Sequence, residues 1–304
     1  MSIIEKALGK LGEQLNENAA QAIVPEPVVP VEPINAREEA RAEPRAPIQS
    51  PAVHTSGSRL LNLDFKRLAE RGFLTNADER GKLAEEYRMI KRPLLANAFG
   101  PNPVQKGNLI MVTSALPGEG KSFSTINLAI SIAMELDRTV LLVDADVAKP
   151  SVPKYLEFQA EHGLMDVLLD DKRDLSSVIM RTNIEKLSIL PAGKAHARGT
   201  ELLASDAMTQ LIADVANRYS DRLVLFDSPP ILATSEASVL ASHMGQIVMV
   251  VEAEKTPKSA LREALSRLEG TCDVISLVLN KSASPSMGDY YGYYGYGGYG
   301  KPAQ

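Results

Sequence analysis

Leu109-Ile110-Met111-Val112-Thr113-Ser114-Ala115-Leu116-Pro117-Gly118-Glu119-Gly120-Lys121-Ser122 decides the fold. The apolar run bounded by turn residues reads as a buried parallel strand. After it, Thr125, Ile126, Leu128, Ala129, Ile132, Ala133 and Leu136 repeat at helical spacing. Between strand and helix lies a phosphate cradle. The P-loop pattern asks for Gly, four residues, then Gly-Lys-Ser/Thr; Ala115 holds the first position and Gly120, Lys121 and Ser122 the last three. Gly118 and Gly120 let the backbone turn tightly and aim N–H groups at phosphates, at the positive end of the helix. Lys121 would meet the β/γ oxygens as a point charge, and Ser122 would ligate magnesium. The competing reading is a structural turn with an accidental lysine.

Downstream, apolar runs and helical patterns alternate. Arg138 to Asp146 is a second buried strand ending in two carboxylates, Asp144 and Asp146, and Leu187 to Gly193 a third strand and turn. Arg222 to Pro230 again places a carboxylate, Asp227, directly after an apolar run; Gln246 to Val251 and Val274 to Leu279 are further strands. Helices are expected over 155–181, from Gly199 to about Tyr219, and over Lys258 to Leu268. This alternation predicts an α/β P-loop NTPase fold, a mostly parallel sheet covered by helices on both faces. Strand C-terminal ends gather ligands in such sheets, and the ends carrying Asp144, Asp146 and Asp227 could flank the strand feeding the P-loop. Phosphoryl transfer needs one carboxylate to hold magnesium or its water and another to take the proton of the attacking group. Alternatively, any one Asp only caps the helix that follows, a reading that suits Asp146 best.

The flanks are of other kinds. In residues 1–20, Ile3, Ile4, Ala7, Leu8, Leu11 and Leu15 share one helical face, which reads as a docking helix or as a weakly folded arm. Residues 21–58 are Pro-rich without apolar periodicity and read as a disordered linker. The P-loop domain is expected over 59–285, with 59–100 as a helical lead-in that includes a helix from Asp78 to about Ala98. On that helix Glu85, Arg88 and Lys91 are spaced by three and share a face, either solvated or available to a neighbouring subunit. Residues 286–304 read as a flexible tail in which Tyr290, Tyr291, Tyr293, Tyr294, Tyr296 and Tyr299 are six of the chain's nine tyrosines. Such a Tyr/Gly segment is either a tolerated terminus or a set of phosphate acceptors.

The 304 residues have a net charge of −5, which gives no reason to propose a nucleic-acid partner. The single cysteine, Cys272, suits a reducing compartment. No apolar run approaches a membrane span, and the N-terminus lacks the apolar core of a signal peptide, so a cytoplasmic protein is expected, with recruitment to the membrane face left open.

The combination resembles the bacterial tyrosine kinases of polysaccharide export, most closely the separate cytoplasmic autokinases paired with exosortase-associated systems. Ala115 to Ser122 resembles their Walker A motif, Val140 to Pro150 their second acidic motif, Val224 to Pro230 their Walker B motif, and the tyrosine tail their autophosphorylated cluster. The resemblance implies an ATP- and Mg2+-dependent protein-tyrosine autokinase regulating exopolysaccharide polymerisation or export. It assigns the nucleotide to Pro117, Gly118, Glu119, Gly120, Lys121, Ser122 and Phe123, with Asn280 where related ATPases read the base. It assigns magnesium to Ser122, Asp146 and Asp227, and the base facing the incoming tyrosine to Asp144. It also implies a homo-oligomer, in ring form, through Glu85, Arg88 and Lys91, and a membrane chain-length determinant as activator. Two positions depart from the family pattern. Ala148 stands where the second acidic motif has Arg, with Lys149 beside it, and Lys91 stands where the ring motif has Arg, whose bidentate fork a lysine lacks. The alternatives are a non-kinase ATPase switch of the partition or division-site type, which would carry a lysine where Leu116 stands, and an ATP-binding scaffold.

Overall fold

The computed structural model describes residues 60–75, 81–170, 172–218 and 221–282. The expected N-terminal helix, the Pro-rich linker and the tyrosine cluster lie outside these residues.

Among the described residues one eight-stranded sheet runs β1 (Leu60–Leu61), β4 (Met180–Thr182), β5 (Leu187–Leu190), β3 (Thr139–Asp144), β6 (Arg222–Asp227), β2 (Leu109–Ser114), β7 (Gln246–Glu252), β8 (Val274–Asn280). All pairings are parallel except β4 with β5. The central strands are apolar on both faces because helices cover both. Ile110, Val112, Val140, Leu142, Leu223 and Leu225 face one core; Leu109, Met111, Leu141, Val143, Val224 and Phe226 face the other.

The first core is closed by α1 (Phe65–Glu70), α2 (Lys82–Phe99), α3 (Lys121–Ala133) and α4 (Val152–Tyr155). The second is closed by α5 (Leu164–Leu169), α6 (Gly199–Leu203), α7 (Asp206–Arg218), α8 (Glu236–Ala241) and α9 (Lys258–Leu268). Helix α3, which follows the P-loop, is sandwiched between the sheet and the lead-in and is buried almost all round. Its polar residues are therefore employed inside: Asn127 Oδ1 accepts from Leu74 N at 2.7 Å, tying the lead-in to α3. Pro93 lies within α2 on its exposed side, where the carbonyl it leaves unbonded can meet water.

Two expectations are corrected. Residues 155–181 do not form one helix: α4 ends at Tyr155, α5 spans Leu164–Leu169, a 3₁₀ turn occupies Leu175–Ser177, and β4 follows. Here Asp side chains compete for the backbone, Asp166 accepting from Gly163 N and Asp174 from Ser176 N, so the chain caps and restarts. The helix expected from Gly199 to Tyr219 is likewise split, because Ser205 Oγ donates to Leu202 O and accepts from Met208 N between α6 and α7.

Candidate active site

The site lies at the C-terminal ends of β2, β6 and β3. Strand β6 adjoins β2, and β3 lies one strand further out, so only the Asp227 end flanks the P-loop strand. In this parallel register Asp227 pairs with Val112 on one side and with Asp144 on the other. Two neighbouring carboxylates thus emerge on the same face of the sheet, under α3, and both are fully buried.

Each carboxylate has its own setting. Asp144 Oδ2 accepts from Ser151 N and Val152 N, both at 3.0 Å, while its buried Oδ1 has no partner. Burial, then the Asp227 charge, raise the Asp144 pKa to about 8. Asp227 Oδ1 accepts from Thr125 Oγ1 at 3.3 Å and Oδ2 from Ser151 Oγ at 3.2 Å. Burial raises its pKa too, against the pull of Lys121. Asp146 lies higher, its Oδ1 accepting from Lys149 N at 3.1 Å. The Lys121 ammonium reaches into this group, 2.9 Å from Asp146 Oδ2, 3.7 Å from Asp227 Oδ1 and 3.3 Å from Ser122 Oγ. Burial lowers the lysine pKa, but Asp227 and Asp146 outweigh it and hold it above the ordinary value.

The P-loop is wound over these groups with φ of +88° at Gly118 and +97° at Gly120, which glycine adopts without strain. At Gly120 a Cβ would also overlap Asn280 Nδ2. A cavity of about 370 Å³ opens here, lined by Pro117, Gly118, Gly120, Lys121, Ser122 and Asp146, then by Ala148, Lys149, Ser151, Tyr155, Pro229, Pro230, Ala233 and Thr234.

Several expected site residues do not line the cavity. The Glu119 carboxylate turns into the protein, accepting from Leu116 N at 2.6 Å and from Thr256 Oγ1. The Phe123 ring packs on Phe73, 4.8 Å between centroids, so only the backbones of Glu119 and Phe123 remain for a phosphate. Asn280 touches the P-loop itself, its Nδ2 donating to Glu119 O at 2.9 Å. Asp144 and Asp227 lie beneath the cavity rather than in its wall. Glu85 and Arg88 pair with each other, but Lys91 is buried, donating to Ser131 O at 2.6 Å and pairing with Glu135 at 2.5 Å. The shared exposed face expected for these three residues is thereby corrected, because the long lysine stem folds onto α3. The site roles of Ser151 and Thr125 escaped the sequence reading; Ser151 joins Asp144, Asp227 and Ser122, its Oγ lying 2.7 Å from Ser122 Oγ.

The arrangement suits a nucleotide with a divalent cation. Asp144 Oδ1 is an orphaned buried acceptor, and three carboxylates face the single ammonium of Lys121. Among the described residues no group of three His, Cys, Asp or Glu side chains makes a ready metal cage. Magnesium held partly by phosphates needs none, since one or two carboxylates, a hydroxyl and water suffice.

A family model described as an AAA domain matches residues 107–281, more than half of the chain. Tyrosine-protein kinase YwqD of Bacillus subtilis is 32% identical over 227 residues, 73% of this chain and 92% of that protein. Succinoglycan biosynthesis transport protein ExoP of Rhizobium meliloti is 33% identical over 215 residues, 69% of this chain but only 26% of ExoP. Among solved structures, the kinase domain of VpsO superposes with a TM-score of 0.56 at 28% identity, covering 67% of this chain and 99% of that domain. With a P-loop, two acidic strand ends and these relatives in agreement, the chain belongs to the bacterial tyrosine-protein kinases of the AAA-domain family.

Proposed function

We propose that this kinase transfers the γ-phosphoryl of ATP, with Mg2+, to the tyrosines of its own C-terminal cluster, in trans between subunits. The observation that carries the reading is one cluster, with Lys121, Ser122 and Asp146 in the cavity wall and Asp144 and Asp227 buried beneath it. In this reading the P-loop backbone and Lys121 bind the phosphates. Ser122, Asp146 and Asp227 hold the magnesium, which draws charge off the phosphoryl oxygens when bound. Asp144 is the base for the tyrosine hydroxyl. Its Oδ2 is fixed by the backbone at Ser151 and Val152, leaving Oδ1 for the proton. Because Asp144 lies under the Ser151 turn, the phenol reaches it only as that turn moves.

Tyr290 begins eight residues after Ser282, at most ~28 Å of extended chain. Lys281 already touches Gly118 of the P-loop, so this tether is long enough for its own site or a neighbour's, and the trans reading requires at least transient self-association. Glu85 and Arg88 remain candidates for that contact. A polysaccharide role is supported by ExoP, whose name places it in succinoglycan biosynthesis. The resemblance to the polysaccharide-export kinases makes a membrane chain-length determinant the proposed activator; no helix among the described residues is long and apolar enough to cross a membrane.

The test is intact mass and tail-peptide mapping after incubation with magnesium and ATP. Phosphate on Tyr290 to Tyr299, absent from Lys121→Met and from a chain lacking 290–299, supports autophosphorylation. Mixing Lys121→Met with tail-deleted kinase and finding phosphate on the former establishes transfer in trans. Nucleotide turnover with no phosphotyrosine, even with the partner's cytoplasmic segment added, would refute the reading in favour of an ATPase switch.

A further inference from the structure

The P-loop is held from behind by the end of the last strand. Lys281, immediately after β8, has φ of +57°, a left-handed conformation that non-glycine residues seldom adopt. There its Nζ donates to Gly118 O at 2.8 Å and pairs with Glu252 at 3.2 Å. The residue before it, Asn280, donates to Glu119 O. The circuit closes through the β7–α9 loop: Thr256 Oγ1 accepts from Glu252 N at 3.1 Å and donates to the Glu119 carboxylate, which also accepts from Leu116 N.

This circuit acts on peptide orientation. In a planar trans peptide the carbonyl of one residue and the N–H of the next point in opposite directions. Lys281 and Asn280 draw the carbonyls of Gly118 and Glu119 to the β8 side. The N–H groups of Glu119 and Gly120 are thereby turned to the opposite side of the loop. In a phosphate-binding loop those N–H groups are the ligands, and glycine at 118 and 120 leaves their peptides free to flip.

We infer that Lys281 is a positioning residue for nucleotide binding, setting the orientation of the P-loop peptides through Gly118 O and through the Glu252–Thr256–Glu119 circuit. The inference rests on the phosphate site proposed above. Lys281 touches no reacting atom in this scheme; it makes the donor set ready before the nucleotide arrives, and so acts on affinity rather than on the transfer step.

The full-length protein serves for the test. Binding of ADP with magnesium is measured by calorimetry, autophosphorylation rate is followed against ATP concentration, and ligand-free melting is recorded. Lys281→Met is expected to weaken ADP about fivefold, the scale of one partly screened charge-assisted hydrogen bond, and to raise half-saturating ATP by the same factor. The limiting rate and the ligand-free melting temperature should hold. Lys281→Arg should restore affinity to within about twofold of wild type. Thr256→Val, which cuts the circuit at its other end, should weaken ADP in the same direction. Affinity unchanged in Lys281→Met, or lost only in proportion to a fall in ligand-free melting, overturns the inference. Failure of the wild type to bind ADP overturns the phosphate site itself, and the inference with it.

Discussion

Raising the pH of the nucleotide- and metal-free kinase from 6.5 to 8 should destabilise it. Asp144 and Asp227 lie side by side in the β3–β6 register, fully buried, with Lys121 as the nearest cation. Burial and mutual repulsion hold the Asp144 pKa near 8, against ~3.9 in the unfolded chain. The native pair therefore keeps a proton that the unfolded chain has released. A folded-state carboxyl pKa raised in this way makes stability fall as pH rises, and the loss continues until pH passes the folded pKa. For one proton and a folded pKa near 8, the loss between pH 6.5 and 8 is about 1.5 kcal/mol, or roughly 3–6 °C in melting temperature for a domain of this size. His243, whose pKa burial and Lys106 lower, costs stability as pH falls through about 6.5 and so opposes the trend only at the lower edge of the window, and Cys272, raised by burial, acts above it. Calorimetric melts in chelator at several pH values make the measurement, with Asp144→Asn as control. The slope should flatten in Asp144→Asn, and again in wild type with magnesium and ADP, because a bound cation favours the ionised pair. Wild-type stability that is level or rising across this range, or an Asp144→Asn slope equal to that of wild type, would refute the reasoning.

Other substitutions separate the roles of neighbouring groups. Lys121→Met removes the ammonium between Asp146 and Asp227 and should cost on the order of 100-fold or more in autophosphorylation rate, read by intact mass. Gly120→Ala meets both a φ of +97° and the Asn280 side chain; it should cost about 1–2 kcal/mol in melting experiments and weaken ADP by more than tenfold. Lys91→Met should lower stability by about 1–3 kcal/mol, since it unties α2 from Ser131 and Glu135, without changing assembly size in light scattering. A change in assembly size with stability intact would return Lys91 to an intersubunit role.

The parts legible in the sequence are those set by local pattern. The six strands read from it, β2, β3 and β5 to β8, were visible as apolar runs because both faces of the sheet are covered, and the helix over Lys258–Leu268 kept one clean amphipathic period. The P-loop was legible because its chemistry fixes residue types at fixed spacing. Sheet order was not, since nothing local says that β6 inserts between β3 and β2; that insertion sets Asp227 between Val112 and Asp144. Short segments failed for a different reason. Between Tyr155 and Arg181 the apolar spacing fits a helix, but Gly163, Asp166 and Asp174 offer the backbone competing bonds that break it. Lys91 was misplaced because a lysine stem is apolar enough to be buried when a carbonyl and a carboxylate wait at its end. Ser151, Thr256 and Lys281 carry no motif of their own; each has a site partner more than 25 residues away in the chain.

The charge arrangement also predicts how nucleotide and metal depend on one another. Lys121 is the nearest cation to Asp227 and is paired with Asp146 at 2.9 Å, yet its ammonium is also the group that phosphate oxygens require. To meet a nucleotide, Lys121 has to leave Asp146 and Asp227, and in leaving it exposes buried carboxylates that it had compensated. Nucleotide without a divalent cation should consequently bind weakly, because breaking a buried pair without replacing it is costly. A divalent cation without nucleotide should also bind weakly, since Lys121 still occupies the carboxylates and few side-chain ligands remain. Together each removes the other's penalty: Lys121 passes to the phosphates as the carboxylates pass to the cation. Linkage requires the coupling to be reciprocal, with magnesium tightening ADP by the same factor by which ADP tightens magnesium. Calorimetric titrations of each ligand in the presence and absence of the other measure that factor. Additive, independent affinities would mean that Lys121 does not make this exchange.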